Sequence, residues 1–146
     1  MDPCTILYAE DEPDDIYFLE RAFRVAGSPH ILNTVTDGEQ AIDYLAGEGT
    51  FADRGSHSLP ALILLDISMP KQSGFDVLKW VRGQPQFKSV PVLMFTSSSR
   101  PEDMEKARQL GADDYLLKPS DPLQFVELVR SLQDRWLSLP KLTPRL

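Results

Sequence analysis

The chain has 146 residues, 42% hydrophobic and 25% charged, with a net charge of -7. These are the proportions of one ordinary globular domain with room for a full core, and they exclude collagen-like, coiled-coil and disordered chains. The acidic balance excludes nucleic acid as a direct ligand, no apolar run reaches the ~18 residues of a membrane span and no signal peptide opens the chain, and the single cysteine, Cys4, allows no internal disulfide, so a cytoplasmic protein is expected.

The first apolar run, TILYA (5–9), has strand length and little polar alternation, and Cys4 at its head is expected to be a small buried residue. Ile16, Leu19, Ala22, Phe23 and Ala26 then follow helical spacing, with Gly27 as the stop. HILNTV (30–35) is a weaker strand, suited to a sheet edge. Asp37 with Gln40 resembles a capping box ahead of Ala41, Ile42 and Leu45. GEGTFADRGSHSLP (47–60) reads as a long surface loop. ALILLD (61–66) is a second fully apolar strand, followed by a helix with Phe75, Leu78 and Val81 in phase. VPVLMFT (90–96) is the next strand. Ser99 with Glu102 offers a cap before Met104, Ala107 and Leu110, and Gly111 closes that helix. DDYLLK (113–118) is the last strand, and Phe125, Leu128, Val129, Leu132 and Trp136 form one stripe of the last helix. Continuous apolar strands suit a parallel sheet covered on both faces. Five of them alternating with five helices predict an α/β doubly wound sheet with right-handed crossovers, occupying residues 1–137, with SLPKLTPRL (138–146) as a C-terminal tail.

In such a sheet ligands bind beyond the carboxyl ends of the strands. There the sequence places Glu10 and Asp11, Asp66, Thr96 and Ser97, and Lys118 followed by Pro119. Residues 8–15, YAEDEPDD, hold five acids. Glu12, Asp14 and Asp15 are read as charges favoured by a helix N-terminus, and only the first two as a cation site. Carboxylates crowded together would gain a proton unless a cation sits among them. Mg²⁺ takes oxygen ligands, often one or two carboxylates plus a phosphate oxygen. A carboxylate beside it can attack a phosphoryl group while the metal and a lysine neutralise the equatorial oxygens, and Thr96 can hydrogen-bond the bound phosphoryl group.

The strings EDE (10–12), LLDISMPKQSGFDVL (64–78), VLMFTSSS (92–99) and GADDYLLKP (111–119) resemble, in order, the receiver domain of two-component response regulators over residues 4 to about 137. The resemblance implies the flavodoxin-like strand order 2-1-3-4-5, with Asp66 accepting a phosphoryl group from a sensor histidine kinase. Glu10, Asp11 and Asp66 would bind Mg²⁺ with the backbone carbonyl of Ser68, while Thr96 and Lys118 would contact the phosphoryl group. Ser97 is expected to touch it too; the other serines of 97–99 are turn and cap residues. Tyr115 matches the switch aromatic that follows inward movement of Thr96. The Lys118–Pro119 bond is expected to be cis, and the positions of Ser68 and Ser98 tune the lifetime of the acyl phosphate in the family. The 47–60 insertion and KWVRGQPQFKSVPVLMFTSSS (79–99) are similar, more narrowly, to single-domain regulators paired with bacterial and cyanobacterial phytochrome kinases.

His30 and His57 lie away from the rim and read as surface or loop histidines, so the phosphodonor is another protein. No output domain follows Trp136, so the expected output is a surface change read by an unidentified downstream protein; the chain is no enzyme beyond catalysing its own phosphorylation and dephosphorylation. Trp136, Leu137, Leu139 and Leu142, with the face of the fourth helix, fifth strand and fifth helix, suggest a homodimer, the alternative being packing on their own domain. A phosphorylation-independent pseudo-receiver would be expected to lose an acid, the acceptor or the lysine. A haloacid-dehalogenase-like phosphatase would want a second acid at position 68, where this chain has Ser68.

Overall fold

The computed structural model describes residues 3–137. Five strands alternate with five α-helices: β1 (Thr5–Ala9), α1 (Pro13–Val25), β2 (Ile31–Val35), α2 (Gly38–Ala46), β3 (Leu62–Leu65), α3 (Gly74–Arg82), β4 (Val92–Thr96), α4 (Pro101–Gln109), β5 (Asp114–Leu117) and α5 (Pro122–Leu132). They form one parallel sheet in the order β2-β1-β3-β4-β5, the order that the receiver resemblance implies, with HILNTV on an edge.

Successive strand residues point to opposite faces, and both faces are covered. Leu7, Ile63, Leu65 and Met94 meet Tyr44, Leu45, Phe75 and Leu78 of α2 and α3 on one side. Ile6, Leu62, Leu64 and Phe95 meet Leu19, Phe23, Phe125 and Val129 of α1 and α5 on the other. β1, β3 and β4 are buried along their whole length, which is why their interiors are apolar or aromatic, with threonine only at the start of β1 and the end of β4. β5, an edge strand, is only partly covered.

Several local expectations change. The Asp37 carboxylate accepts from Gln40 N at 2.7 Å, but the Gln40 side chain accepts from Thr36 N rather than Asp37 N, so the box is offset by one residue. Ser99 and Glu102 form no cap. A proline biases the residue before it away from helical geometry, so Arg100 stays extended as the N-cap and Pro101 takes the first helical position. Ser98 does the local work instead, its hydroxyl accepting from Arg100 N and donating to Asp103 at 2.6 Å. A full capping box forms where none was expected, between Ser73 and Asp76 at the start of α3. No peptide bond among the described residues is cis; Lys118–Pro119 is trans, the form X-Pro bonds favour by about 0.5–1 kcal/mol.

His30 is not at the surface. It is buried, and its Nδ1 accepts the Cys4 backbone N–H at 3.0 Å, because β2 starts beside the head of β1. Cys4 itself is half-buried. The 47–60 segment is organised: a 3₁₀ turn spans Gly49–Phe51, and the Arg54 guanidinium reaches back to Tyr44 O, Leu45 O and His57 O. At the end of α2 it thereby gives the Leu45 carbonyl a partner and adds a second donor to Tyr44 O, which also accepts from Gly47 N. His57 packs edge-on against Phe51 and Tyr44.

After α5 the chain makes a π-helical turn, Gln133–Leu137. Leu137 is buried and Trp136 partly buried against the α1–α5 side of the core. These two residues thus pack on their own domain, while Leu139, Leu142 and the rest of the 138–146 tail lie outside the described residues.

Gly74 fixes the β3 exit. A Cβ there would stand 2.1 Å from the Asp66 carbonyl oxygen, so the helix can approach the strand end this closely only with glycine. Gly74→Ala is expected to cost about 1–3 kcal/mol in urea unfolding and to shift the Asp66 main chain.

Candidate functional site

Strand register assembles the site. Ala9 pairs with Leu65, and beyond that pair Asp66 N donates to Ala9 O at 3.1 Å, so Glu10 and Asp66 leave the sheet side by side. Thr96 pairs with Leu117, and Lys118 N donates to Thr96 O at 2.8 Å, which brings the lysine to the same rim. The sequence-predicted residues Glu10, Asp11, Asp66, Thr96 and Lys118 therefore converge. A cavity of about 340 Å³ opens there, lined by Asp11, Asp66, Thr96 and Lys118, with Ser68, Ser97 and Ser98 on its wall.

Lys118 is the electrostatic centre. Its Nζ lies 2.7 Å from Glu10 Oε1, 2.8 Å from Asp15 Oδ2 and 3.5 Å from Asp66 Oδ2, with the side chain 9% exposed. Burial works against its charge, but the bonds to Asp15 and Glu10 win and hold its pKa above the usual lysine value. Glu10 is fully buried. Desolvation pushes its pKa up to about 7; the bond to Lys118 opposes that shift and the Asp66 charge adds to it. Tyr8 donates its hydroxyl to Glu10 Oε1 at 3.1 Å, and the Glu12 backbone N–H donates to Glu10 Oε2 at 3.2 Å. Burial first, then the Glu10 charge, raises the Tyr8 pKa, so Tyr8 stays a donor.

One oxygen from each of Glu10, Asp11 and Asp66 lies within 4.8 Å of the others. A cation with oxygens at about 2.1 Å spans about 4.2 Å between opposite ligands, so a small movement lets all three reach one hard divalent ion, and three carboxylates are the donor type it prefers.

Thr96 is buried, and its Oγ1 accepts from Ser98 N at 3.3 Å. The Tyr115 hydroxyl donates to Ser98 O at 2.8 Å, so the aromatic ring of β5 is tied to the loop that follows Thr96.

Two residues escaped the sequence reading. Tyr8 reads as one more apolar residue of TILYA, because nothing in a strand pattern says which aromatic meets a buried acid. Sequence position places Asp15 with Glu12 and Asp14 as a helix charge, yet alone of the three it reaches Lys118.

A doubly wound parallel sheet with a carboxylate cluster, a hydroxyl and a lysine at its carboxyl edge is the flavodoxin-like receiver class of fold. The chain belongs to the response regulator receiver domain family, whose model matches residues 6–130. Among solved structures, it is similar to response regulator RPA3017, in red light signaling of R. palustris, at 34% identity over 99% of this chain and all of that one, with a TM-score of 0.88. The phosphorylated cyanobacterial phytochrome response regulator RcpA gives 31% identity over 98% of this chain and all of that one, TM-score 0.87. The Mn²⁺-bound form of response regulator Rcp1, a Synechocystis protein, gives 27% identity over 97% of this chain and all of that one, TM-score 0.82. The relatives thus include single-domain, phytochrome-linked regulators. Among the described residues, no helix is long and apolar enough to cross a membrane.

Proposed function

We propose that the chain takes a phosphoryl group onto Asp66 from a sensor histidine kinase, in a Mg²⁺-dependent reaction, and passes the signal on through its surface to a partner protein. The observation that carries this reading is the meeting of Asp66 with Glu10, Asp11 and Lys118 in one small pocket at the strand ends. The likeness to a phosphorylated regulator and to a Mn²⁺-bound one supports the same chemistry.

The roles follow from the geometry. Asp66 supplies the nucleophilic carboxylate: its oxygen bonds phosphorus as the bond to the donor breaks, and the donor group leaves with the electron pair. Glu10, Asp11 and Asp66, with the Ser68 carbonyl, would hold the cation, which when bound neutralises charge on the phosphoryl oxygens. Lys118 is already 3.5 Å from Asp66 and offers ammonium protons to those oxygens. The Thr96 hydroxyl and Ser97 complete the phosphate contacts. When Thr96 turns to the phosphoryl group it gives up the Ser98 N–H, and Tyr115, bound to Ser98 O, carries the change to the β5 surface. A bias of about 3–5 kcal/mol between two states suffices for such signalling.

The chain acts on no separate substrate in this reading. Residues 1–137 are the receiver and 138–146 a tail. The kinase is proposed to be a phytochrome, by analogy with the phytochrome and red-light regulators to which the chain is similar. A homodimer through the α4, β5 and α5 face remains part of the proposal, without Trp136 and Leu137 as its anchors, and sedimentation showing a monomer with and without a phosphoryl analogue would remove it.

Acetyl phosphate labelling followed by intact-mass spectrometry tests the main reading: label should require Mg²⁺, and its absence with metal present would overturn the proposal. The same site sets a pH dependence. A cation must displace the proton that Glu10 holds up to about pH 7. Mg²⁺ affinity, followed by Trp80 or Trp136 fluorescence, should therefore rise by up to about tenfold per pH unit below that point and level off above it. Without metal the sign reverses. Glu10's pKa in the fold lies above its ordinary 4.5, so its contribution to stability is full below pH ~4.5 and is lost as pH rises through about 7.

A further inference from the structure

Resting on the phospho-acceptor reading, we infer that Asp15 is a positioning residue that restrains phosphorylation, competing with the incoming phosphoryl group for Lys118. Asp15 lies in the first turn of α1. It is the third residue of α1, behind the N-cap Glu12 and Pro13. An acid at that position ordinarily turns back to accept the N-cap backbone N–H. Here that N–H is already taken by Glu10 Oε2 at 3.2 Å, and the helix has no side-chain cap. The Asp15 carboxylate is thus released from capping and lies 2.8 Å from Lys118 Nζ instead.

Asp15 differs from the other carboxylates on that lysine. Glu10 and Asp66 belong to the cluster that converges tightly enough for a cation, and Asp15 does not. Once Glu10 and Asp66 turn to metal and phosphorus, Asp15 is the carboxylate left on Lys118. It keeps one ammonium proton from the phosphoryl oxygens and adds a negative charge to the wall of the cavity the anionic donor must enter.

In the reaction with acetyl phosphate the Asp66 oxygen forms the new bond to phosphorus while the acetyl oxygen–phosphorus bond breaks, and acetate leaves with the electron pair. No proton has to move, so the barrier reflects how well the anionic oxygens are met by positive charge. Removing one unit charge several ångströms away, across a partly solvated gap, corresponds to a rate change of roughly threefold to tenfold.

The test is the initial rate of Mg²⁺-dependent labelling by acetyl phosphate in wild type, Asp15→Asn, Asp15→Ser and Asp15→Glu, with thermal melting of each. Asp15→Asn and Asp15→Ser should label about threefold to tenfold faster than wild type, with a weaker rise on adding salt, because the screened repulsion is gone. Asp15→Glu should return to the wild-type rate, which a merely structural role at the helix start would not produce. Unchanged or slower labelling in whichever neutral variant melts like wild type overturns the restraint, as does failure of both to fold. An absence of label in the wild type itself would instead remove the phospho-acceptor reading, and this inference with it.

Discussion

Asp66→Asn is expected to take up no phosphoryl group, from acetyl phosphate or from a kinase, while folding as well as the wild type. The residue is 5% exposed and lies at the end of β3, where its main chain is held by the bond to Ala9 O. Asparagine has the same shape, so the packing survives. An amide oxygen, however, has lost the negative charge that makes the carboxylate a nucleophile, and the labelling rate should fall below about a thousandth of wild type. Stability should stay level or rise slightly, because the substitution removes one of the carboxylates crowded against a single ammonium. Label of equal amount on the asparagine variant would move the acceptor elsewhere and end the assignment of Asp66.

How much of this was legible follows from what a linear pattern can carry. The strands were legible because β1, β3 and β4 are buried on both faces and carry uninterrupted apolar runs. Their ends named Glu10, Asp66 and Thr96 at once, since any charged or hydroxyl residue closing such a run must sit at the sheet's edge; Lys118 closes the shorter, partly covered run of β5. The family pattern added the order of the four segments. Asp15 was illegible for a different reason. Whether a third-position acid caps its helix depends on whether the N-cap N–H is free, and that was decided by Glu10 rotating its second oxygen onto Glu12 N. The false cap at Ser99 shows the same limit from the other side: the Ser-to-Glu spacing was present, but Pro101 moved the helix start by one residue. In the 47–60 segment, composition announced a loop and could not announce that Arg54 would fold it against the end of α2.

Lys118→Met tests the electrostatic centre, and its effect should split by metal. In the metal-free protein Lys118 is the cation shared by Glu10, Asp15 and Asp66. Methionine keeps most of the stem's volume and removes the charge, leaving Glu10 and Asp66 buried without it. Breaking such a group from one side costs about 3–5 kcal/mol when the remaining charge must stay. Glu10 has an escape, because its pKa already stands near 7 with the lysine in place and rises further without it. Urea unfolding without metal should therefore show a loss of about 2–4 kcal/mol above neutral pH, where holding the proton is hardest, and a smaller one toward pH 5. Saturating Mg²⁺ should recover most of the stability, and the ion should bind more tightly than to wild type, since no ammonium competes for Glu10 and Asp66. Phosphorylation should not recover with it. The equatorial oxygens lose a fixed cation, and labelling by acetyl phosphate should remain about a hundredfold to a thousandfold below wild type even with metal saturating. Stability and metal binding restored while the chemistry stays lost would separate the lysine's two tasks; labelling at the wild-type rate would show that Lys118 serves the fold alone.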